Sequence, residues 1–379
     1  MGVYVAYYII ITICSIILSQ GVFCYGSNNP YKTKIMRWKA QTLFLVNIAC
    51  GLLILIIGLR SGHNGLDLYN SLGTGYFYYY DKINEDSVFE IIGNFGKRKY
   101  ANFEIGFTLF CKFLGSICHN KQILLIGCAV MAVVPVGYFI YKNSRNIWLS
   151  IMIYMAMPFF GTANFSAIRQ AIAIGLIMLS FEFIREKRKF AFLITVIIAC
   201  TFHSTAIVGL VAYPAYYFRI SRKSAVYGGG GMLIAIYVLK EPLFYLLARL
   251  LTENPKIVKS HTVNLFLILT MIYVMIVLFY KKDDIETRGF TNIFWMACAT
   301  QAFAGVNNLA GRVTWYFMSI LIVLLPNFLL NMNVKEKQCL KYCAGLIGIL
   351  ACIIGLYFLR TDMVAMAYPY EPFWIGNSI

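Results

Sequence analysis

Charged side chains are scarce in this sequence: Asp, Glu, Lys and Arg make up only 13% of its 379 residues. A soluble domain carries about 25%. Apolar residues make up 60% of the chain, and apolar runs close to the ~20 residues that cross a bilayer recur along its whole length. No remaining segment is long enough for a separate soluble domain. The composition therefore predicts one integral membrane domain over residues 1–379.

Acidic residues are the rarer charge class, with 16 Asp and Glu against 33 Lys and Arg and a net charge of +17. In a soluble protein such an excess of basic residues would suggest nucleic-acid binding. Here the basic residues stand in short loops between apolar runs, as the positive-inside rule expects for cytoplasmic loops. We therefore expect no nucleic-acid partner, and we assign these loops to the cytoplasm.

Patterns typical of metal sites, disulfide frameworks and signal peptides are also missing. His63, His119 and His261 show no metal-ligand spacing, and the pair Cys339 and Cys343 has no matching second pair. The N-terminus, MGVYVAYYIIITICSIILSQ, lacks a basic region and a small-residue cleavage site. We expect no metal, no disulfide framework and a retained first span.

The apolar runs predict about twelve transmembrane or re-entrant helices, so the predicted fold class is an all-α, polytopic membrane protein. Breaks fall at polar clusters such as YKNSRN, REKRK and KKDDIETR. Placing these clusters in the cytoplasm predicts an extracytoplasmic loop at about 60–121 and an extracytoplasmic tail at 360–379. The loop contains a predicted amphipathic surface helix at 104–118. The short apolar pieces at 190–218, around FHST, are either two spans or a re-entrant hairpin.

Polar residues that are costly in a membrane collect on this outer face. Arg169 and Gln170 lie in the first two turns of an apolar helix, and an arginine at a helix centre costs roughly 2.5–3.5 kcal/mol on insertion scales. Arginine presents a planar fork of donors that matches phosphate. Carboxylates or a histidine nearby could deprotonate a hydroxyl nucleophile. The candidates are Arg60, Asp67, Glu104, Arg169, Gln170, His203, Arg312 and Tyr370.

Structural alternatives exist for several of these residues. Arg60 could be an interfacial arginine that extends its charge to water, and Asp67, after two glycines, could cap a turn. His203 could donate to a carbonyl across the bundle. Arg312 fits a structural role less well, because the start of a helix favours anions.

Several stretches resemble the EpsG-type family of bacterial exopolysaccharide and O-antigen polymerases, the Wzy class. They are GLRSGHNGLDLY at 58–69, FEIGF at 103–107, the run from FSAIRQ to FHSTAIVGLVAYP at 165–214, and GRVTWYF at 311–317. The arginine–glutamine helix followed by FHSTA is the most specific of them. The positions matched by the resemblance are Arg60, Asp67, Glu104, Arg169, Gln170, His203, Arg312 and Tyr316.

The resemblance implies a GT-C-like glycosyltransferase in the bacterial inner membrane, with its active site facing the periplasm and with no required metal or cofactor. Such polymerases transfer a growing glycan from undecaprenyl diphosphate to the next lipid-linked repeat unit, and we expect inversion from a single displacement. Asp67, Glu104 or His203 would then be the base. The substrate-binding residues would be Arg60, Arg169, Gln170, Arg312, Tyr316 and Tyr370.

The expected partners are the undecaprenyl-diphosphate-linked oligosaccharide, the lipid bilayer and, as a further candidate, a chain-length regulator protein. Two kinds of alternative remain open. The first is a flippase or exporter of lipid-linked oligosaccharide, which should show matching halves. The second is an O-antigen ligase, or an acyltransferase that uses His203 as its base.

Overall fold

A computed structural model describes residues 1–19, 30–69, 75–94, 96, 99–249, 263–280, 284–331 and 337–376. These residues form helices almost throughout, and the strand β1, Lys99–Asn102, is short. The predicted all-α fold class is confirmed. In the first half of the chain the helices are α1 Gly2–Ser19, α2 Pro30–Gly58, α3 Tyr76–Glu85, α4 Val88–Gly93, α5 Ile105–Ile117, α6 Gln122–Asn143, α7 Ile147–Ala156, α8 Phe159–Phe165 and α9 Ile168–Arg185.

The second half begins with α10 and contains three helices of other types. The elements are α10 Lys189–Phe202, a 3-10 helix Ser204–Val211, α11 Ala212–Tyr217, α12 Arg222–Ser224, a π-helix Ala225–Gly229, α13 Gly230–Val238, α14 Lys240–Arg249, α15 Val263–Phe279, α16 Ile285–Gln301, a 3-10 helix Ala302–Gly305, α17 Asn308–Met318, α18 Leu321–Asn331, α19 Lys337–Thr361 and α20 Phe373–Gly376.

Among the described residues, three helices are long and apolar enough to cross a membrane, at Ala40–Gly58, Gln122–Asn143 and Tyr342–Thr361. Three bent helix pairs raise the number to six if each pair is one span, and four shorter apolar helices accompany them. The chain is therefore a polytopic helical membrane protein, while the number of twelve spans stays a prediction. One bend has a local cause: Pro158 has no N–H to donate and keeps Met157 extended, so α7 ends before α8 begins.

The predicted loop and tail lie together at one end of the bundle. The side-chain amide of Asn64 donates to the carbonyls of Met366 (2.7 Å) and Pro369 (2.8 Å). The backbone N–H of Leu66 donates to Ser166 Oγ (2.9 Å), just before α9 begins. We call this the loop end of the bundle.

The basic loops gather at the opposite end, about 24 Å further along α9 at a rise of 1.5 Å per residue. There Arg185 Nη1 lies 3.2 Å from Glu286 Oε1, and the Asn143 amide donates to Glu182 Oε2 at 2.7 Å. We call this the basic end. The basic residues Lys281, Lys282 and Lys335, which the sequence placed with them, lie outside the described residues.

The segment 104–118, predicted to be a surface helix, forms the helix α5 with Glu104 as its N-cap residue, and its position on the membrane surface stays a prediction. Phe107, Cys111 and Leu114 bury one face of α5, while Phe113 and Ile117 are exposed on the other. The helix is therefore amphipathic, and its packed face fixes the position of Glu104.

The segment at 190–218 forms two antiparallel legs. The first leg, α10, is about 21 Å long; the second, the 3-10 helix followed by α11, is about 25 Å, because a 3-10 helix rises about 2.0 Å per residue. The Tyr217 hydroxyl donates to the Ile184 carbonyl, so the second leg returns to the basic end. The two legs thus run between the two ends, with His203 extended at the turn (φ −154°, ψ 113°).

Candidate functional site

Four segments that are distant in sequence meet at the loop end. They are the N-terminus of α5, the first turn of α9, the turn between α10 and the following 3-10 helix, and α17. Side-chain contacts link each segment to the next, and we call the resulting set the polar ring: Glu104, Arg169, Gln170, His203, Ser204, Thr205, Arg312 and Tyr316.

Arg169 forms an ion pair with Glu104 through Nη1 and Oε2. The same guanidinium donates to the Asn102 carbonyl at 3.1 Å and to the Tyr76 hydroxyl at 3.2 Å. Its central carbon lies 4.6 Å from the centroid of the Phe103 ring. The side chains of Arg169 and Glu104 are only 19% and 16% exposed. Pairing and stacking therefore offset the cost of a charge in an apolar helix.

The other oxygen of Glu104, Oε1, faces the FHST turn. The Ser204 N–H donates to it at 2.9 Å, and His203 Nδ1 lies 3.4 Å away. Burial alone would raise the pKa of Glu104, but the His203 contact, the Arg169 charge and the Ser204 amide outweigh burial and lower this pKa to about 2. Glu104 is consequently an ionised carboxylate at neutral pH.

His203 has its Nδ1 buried against Glu104, while 22% of the side chain is exposed. Nδ1 makes no hydrogen bond to Glu104 at this 3.4 Å distance, and the described residues offer the imidazole no other hydrogen-bond partner. A carboxylate beside one ring nitrogen orients an imidazole and stabilises the imidazolium that forms when the other nitrogen accepts a proton. The Glu104–His203 pair has this arrangement.

Arg312 and Tyr316 close the ring from α17. The Gln170 side-chain amide donates to the Arg312 carbonyl at 3.0 Å, and the fully buried Tyr316 has its hydroxyl 2.9 Å from Thr205 Oγ1. The Arg312 guanidinium lies 5.9 Å from the Trp315 ring. Across the described part of the chain it makes no hydrogen bond or ion pair, so it is the cation of the ring that is available to an anion.

A cavity of about 240 Å³ opens beside Glu104. Asn94, Lys99, Tyr100 and Ser204 contribute to its lining. Hydrogen-bonding side chains around a small concave space suit a polar, hydroxyl-rich ligand. No group of three or more His, Cys, Asp and Glu residues that could hold a metal ion occurs among the residues described here.

Arg60 lies in a different place, at the junction between α2 and the loop. Its side chain is fully buried, and Nε and Nη2 donate to the carbonyls of Asn64 (2.9 Å) and Phe165 (3.1 Å). Nη1 donates to the Ile57 carbonyl, and the guanidinium stacks 4.8 Å from the Phe165 ring. All three nitrogens are thus engaged by the backbone, and Arg60 fastens the loop to the helix ends.

Tyr370 and Asp67 are also outside the polar ring. The Tyr370 hydroxyl donates to the Ile56 carbonyl at 3.1 Å, which anchors the tail near Arg60. Asp67 is exposed, and its carboxylate has no hydrogen-bond or ion-pair partner among the described residues. Its backbone carbonyl accepts from the N–H of Tyr76 at 3.0 Å, and the hydroxyl of Tyr76 in turn contacts Arg169. The predicted roles of both residues stay predictions.

The sequence did not single out Tyr76, Asn102, Ser204 or Thr205 as individual site residues. Each nevertheless stands inside or beside a predicted segment: Tyr76 lies in the extracytoplasmic loop at about 60–121, Asn102 precedes FEIGF, and Ser204 and Thr205 belong to FHST. Asn102 contacts Arg169, and Ser204 contacts Glu104, through backbone groups. Contacts of this kind cannot be predicted from residue type, because every residue has the same backbone carbonyl and nearly every residue has the same backbone N–H.

The fold and the ring together define a polytopic helical membrane protein with a buried, ion-paired polar site at one end. The sequence model of the EpsG family matches residues 43–371, which include every residue of the ring, and the chain belongs to the EpsG family. At the level of the family, it is a polysaccharide polymerase-like membrane protein of the glycosyltransferase type. No curated protein and no solved structure matches the chain.

Proposed function

We propose that this protein is a glycosyltransferase that joins undecaprenyl-diphosphate-linked repeat units into a polysaccharide of the O-antigen, capsule or exopolysaccharide type. The observation that supports this proposal is the polar ring, in which an ion-paired guanidinium and a carboxylate–imidazole pair meet at one end of a membrane bundle, with Arg312 joined to them through its backbone carbonyl and Gln170. Diphosphate binding and deprotonation of a sugar hydroxyl are the two tasks that such a reaction sets.

The diphosphate of the donor binds Arg312 first, since this guanidinium has no competing partner within the described residues. Arg169 contributes Nη2, for which the described residues likewise offer no hydrogen-bond partner. As the glycosidic bond to the diphosphate breaks, negative charge builds on the leaving oxygen. Donors fixed in a site of restricted water stabilise this charge more than they stabilise the bound ground state.

His203 acts as the general base, and Glu104 positions it. A carboxylate with a pKa of about 2 is too weak a base to be efficient near neutrality, whereas histidine is the side chain that most often acts as a general base. The acceptor hydroxyl gives its proton to His203, and its oxygen attacks the anomeric carbon. The bond from that carbon to the diphosphate oxygen breaks, undecaprenyl diphosphate leaves with the electron pair, and the anomeric configuration inverts.

The site faces the periplasm in this proposal. The basic loops lie at the end opposite the ring, and basic loops of inner-membrane proteins favour the cytoplasm. Lipid-linked repeat units would then reach the ring from the outer leaflet of the inner membrane.

A deletion strain tests the function through its surface polysaccharide. Loss of a polymerase leaves single repeat units on the cell surface, and we expect this pattern, with the ladder of longer chains restored by the wild-type gene but not by R312Q or H203Q. A D81N variant, which removes one partner of the exposed Asp81–Lys121 ion pair, is the matched control and should restore the ladder. Absence of all repeat units would indicate a flippase, and unattached polymer would indicate a ligase; either result would overturn the proposal.

A further inference from the structure

A mainly apolar cleft lies at the basic end, away from the polar ring. It is a cleft of about 620 Å³ between α11, the π-helix, α15 and α16. Its walls are mainly apolar, with Pro214, Phe218, Met232 and Met296 among them. Phe218 and Met232 are 63% and 55% exposed, so the cleft opens to the surface of the helix bundle.

The π-helix forms one wall of this cleft. The Tyr273 hydroxyl donates to the Ala225 carbonyl at 3.1 Å, and Trp295 Nε1 donates to the Gly229 carbonyl at 3.1 Å, so both ends of the wide turn are held. A Cβ atom added at Gly228 would meet no atom within 4 Å. Glycine at this position therefore leaves space that a side chain would fill.

The mouth of the cleft is basic. Phe218, Ile220 and Ser224 line the cleft, and the segment 218–224 that carries them, which includes α12, contains Arg219, Arg222 and Lys223. Within the described residues these three cations make no ion pair, and no acidic side chain neutralises them. Other arginines at this end do have partners, since Arg185 pairs with Glu182 and Glu286, and Arg188 pairs with Glu186.

Two guanidinium nitrogens on the segments that border the cleft are buried without a hydrogen-bond partner among the described residues. They are Nε of Arg222 and Nε of Arg288, neither of which has a hydrogen-bond partner in the described part of the chain. Arg222 donates through Nη2 to the Tyr280 carbonyl, and this contact fixes its position. Arg288 lies one helical turn before Asn292, which lines the cleft, so both residues share one face of α16. A buried donor without a partner carries a free-energy cost that a bound anion would remove.

We propose that the cleft binds an anionic glycerophospholipid, with one acyl chain along the apolar walls and the phosphate against Arg222 and Arg288. Apolar contacts give little preference among lipids, because the surrounding bilayer is as apolar as the cleft. Selectivity must therefore come from charge, at roughly fivefold per basic residue near the phosphate. Arg219 and Lys223 at the rim add to the preference for an anionic head group.

Lipid binding to the purified full-length protein tests this proposal. The probes are phosphatidylglycerol and phosphatidylcholine with identical acyl chains, measured by native mass spectrometry and by the lipid-dependent rise in melting temperature. We expect phosphatidylglycerol to bind at least tenfold more tightly than phosphatidylcholine. R222Q/R288Q should reduce this preference about 25-fold at most. R219Q/K223Q should also reduce the preference, and it should leave the fold intact because both side chains are exposed and have no partners in the described residues.

Glycine substitutions separate the cleft from the general surface. G228F should weaken phosphatidylglycerol binding because its ring fills the cleft, whereas G230F, whose added Cβ also meets no atom within 4 Å but which does not line the cleft, should not. Equal binding of the two lipids by the wild-type protein would overturn the proposal. Unchanged phosphatidylglycerol binding in both R222Q/R288Q and R219Q/K223Q would also overturn it.

Discussion

Replacing Glu104 by glutamine tests the centre of the polar ring. Glutamine has nearly the same shape and can still accept the Ser204 N–H, but it leaves Arg169 without its counter-charge. Removing one partner of a buried ion pair costs about 3–5 kcal/mol. Arg169 keeps its contacts with Tyr76, Asn102 and Phe103, and both members of the pair retain some exposure. We therefore expect E104Q to lower the free energy of unfolding by about 2–3 kcal/mol.

The same substitution should reduce polymerisation far more than stability alone explains. Without the carboxylate, His203 loses the group that orients its ring and stabilises the imidazolium, and positioned general-base catalysis is worth roughly 10²–10⁴-fold. The assay is turnover of lipid-linked repeat units by purified protein in liposomes, normalised to folded protein. D81N is the control, because it breaks an exposed ion pair at the same end of the bundle.

The double variant E104Q/R169Q distinguishes catalysis from structure. Removing both charges leaves no buried, uncompensated ion, so most of the stability should return, to within about 1 kcal/mol of the wild type. Turnover should stay at the level of E104Q or below. If the double variant recovered both its melting temperature and its turnover, the Glu104–Arg169 pair would be purely structural and our reasoning would fail.

Three further predictions concern individual side chains. R312Q should raise the KM for the lipid-linked donor at least tenfold, while the free energy of unfolding changes by no more than about 0.5 kcal/mol, as for an ordinary surface substitution; a large loss of stability would show a structural role instead. R60Q should do the reverse, lowering the free energy of unfolding by about 2–3 kcal/mol because buried carbonyls lose their donors, with turnover per folded molecule near that of the wild type. The ionised form of Glu104 stabilises the fold fully above its ordinary pKa of 4.5, and this contribution is lost as the pH falls toward its folded-state pKa of about 2. Between these pH values the melting temperature should therefore fall more steeply for the wild type than for E104Q, and parallel curves would contradict this assignment.

Much of the membrane architecture could be predicted from the sequence, because apolar length and loop charge act locally. The surface helix at 104–118 and the separation of the basic loops from the loop at 60–121 follow from such patterns. The paths of the two legs at 190–218 could not be predicted. They depend on a 3-10 helix whose greater rise lets few residues cover a long distance, and apolar composition does not distinguish it from an α-helix.

The candidate site shows a similar division. Arg169, His203 and Arg312 were recognisable because charge is rare in apolar surroundings. The partner of Arg169 was not, since Glu104 lies 65 residues away and only tertiary packing brings the two together. Arg60 had the same sequence signal as Arg312, an arginine at a helix end, yet its donors are used by backbone carbonyls, while those of Arg312 have no partner in the described residues.

The most direct test of the proposed reaction is the product left behind when purified protein in liposomes is given undecaprenyl-diphosphate-linked repeat units. We predict that undecaprenyl diphosphate appears in step with each new glycosidic linkage, and that R312Q and H203Q lower the yield of both products in parallel. Movement of intact repeat units across the bilayer with no release of undecaprenyl diphosphate would contradict the account.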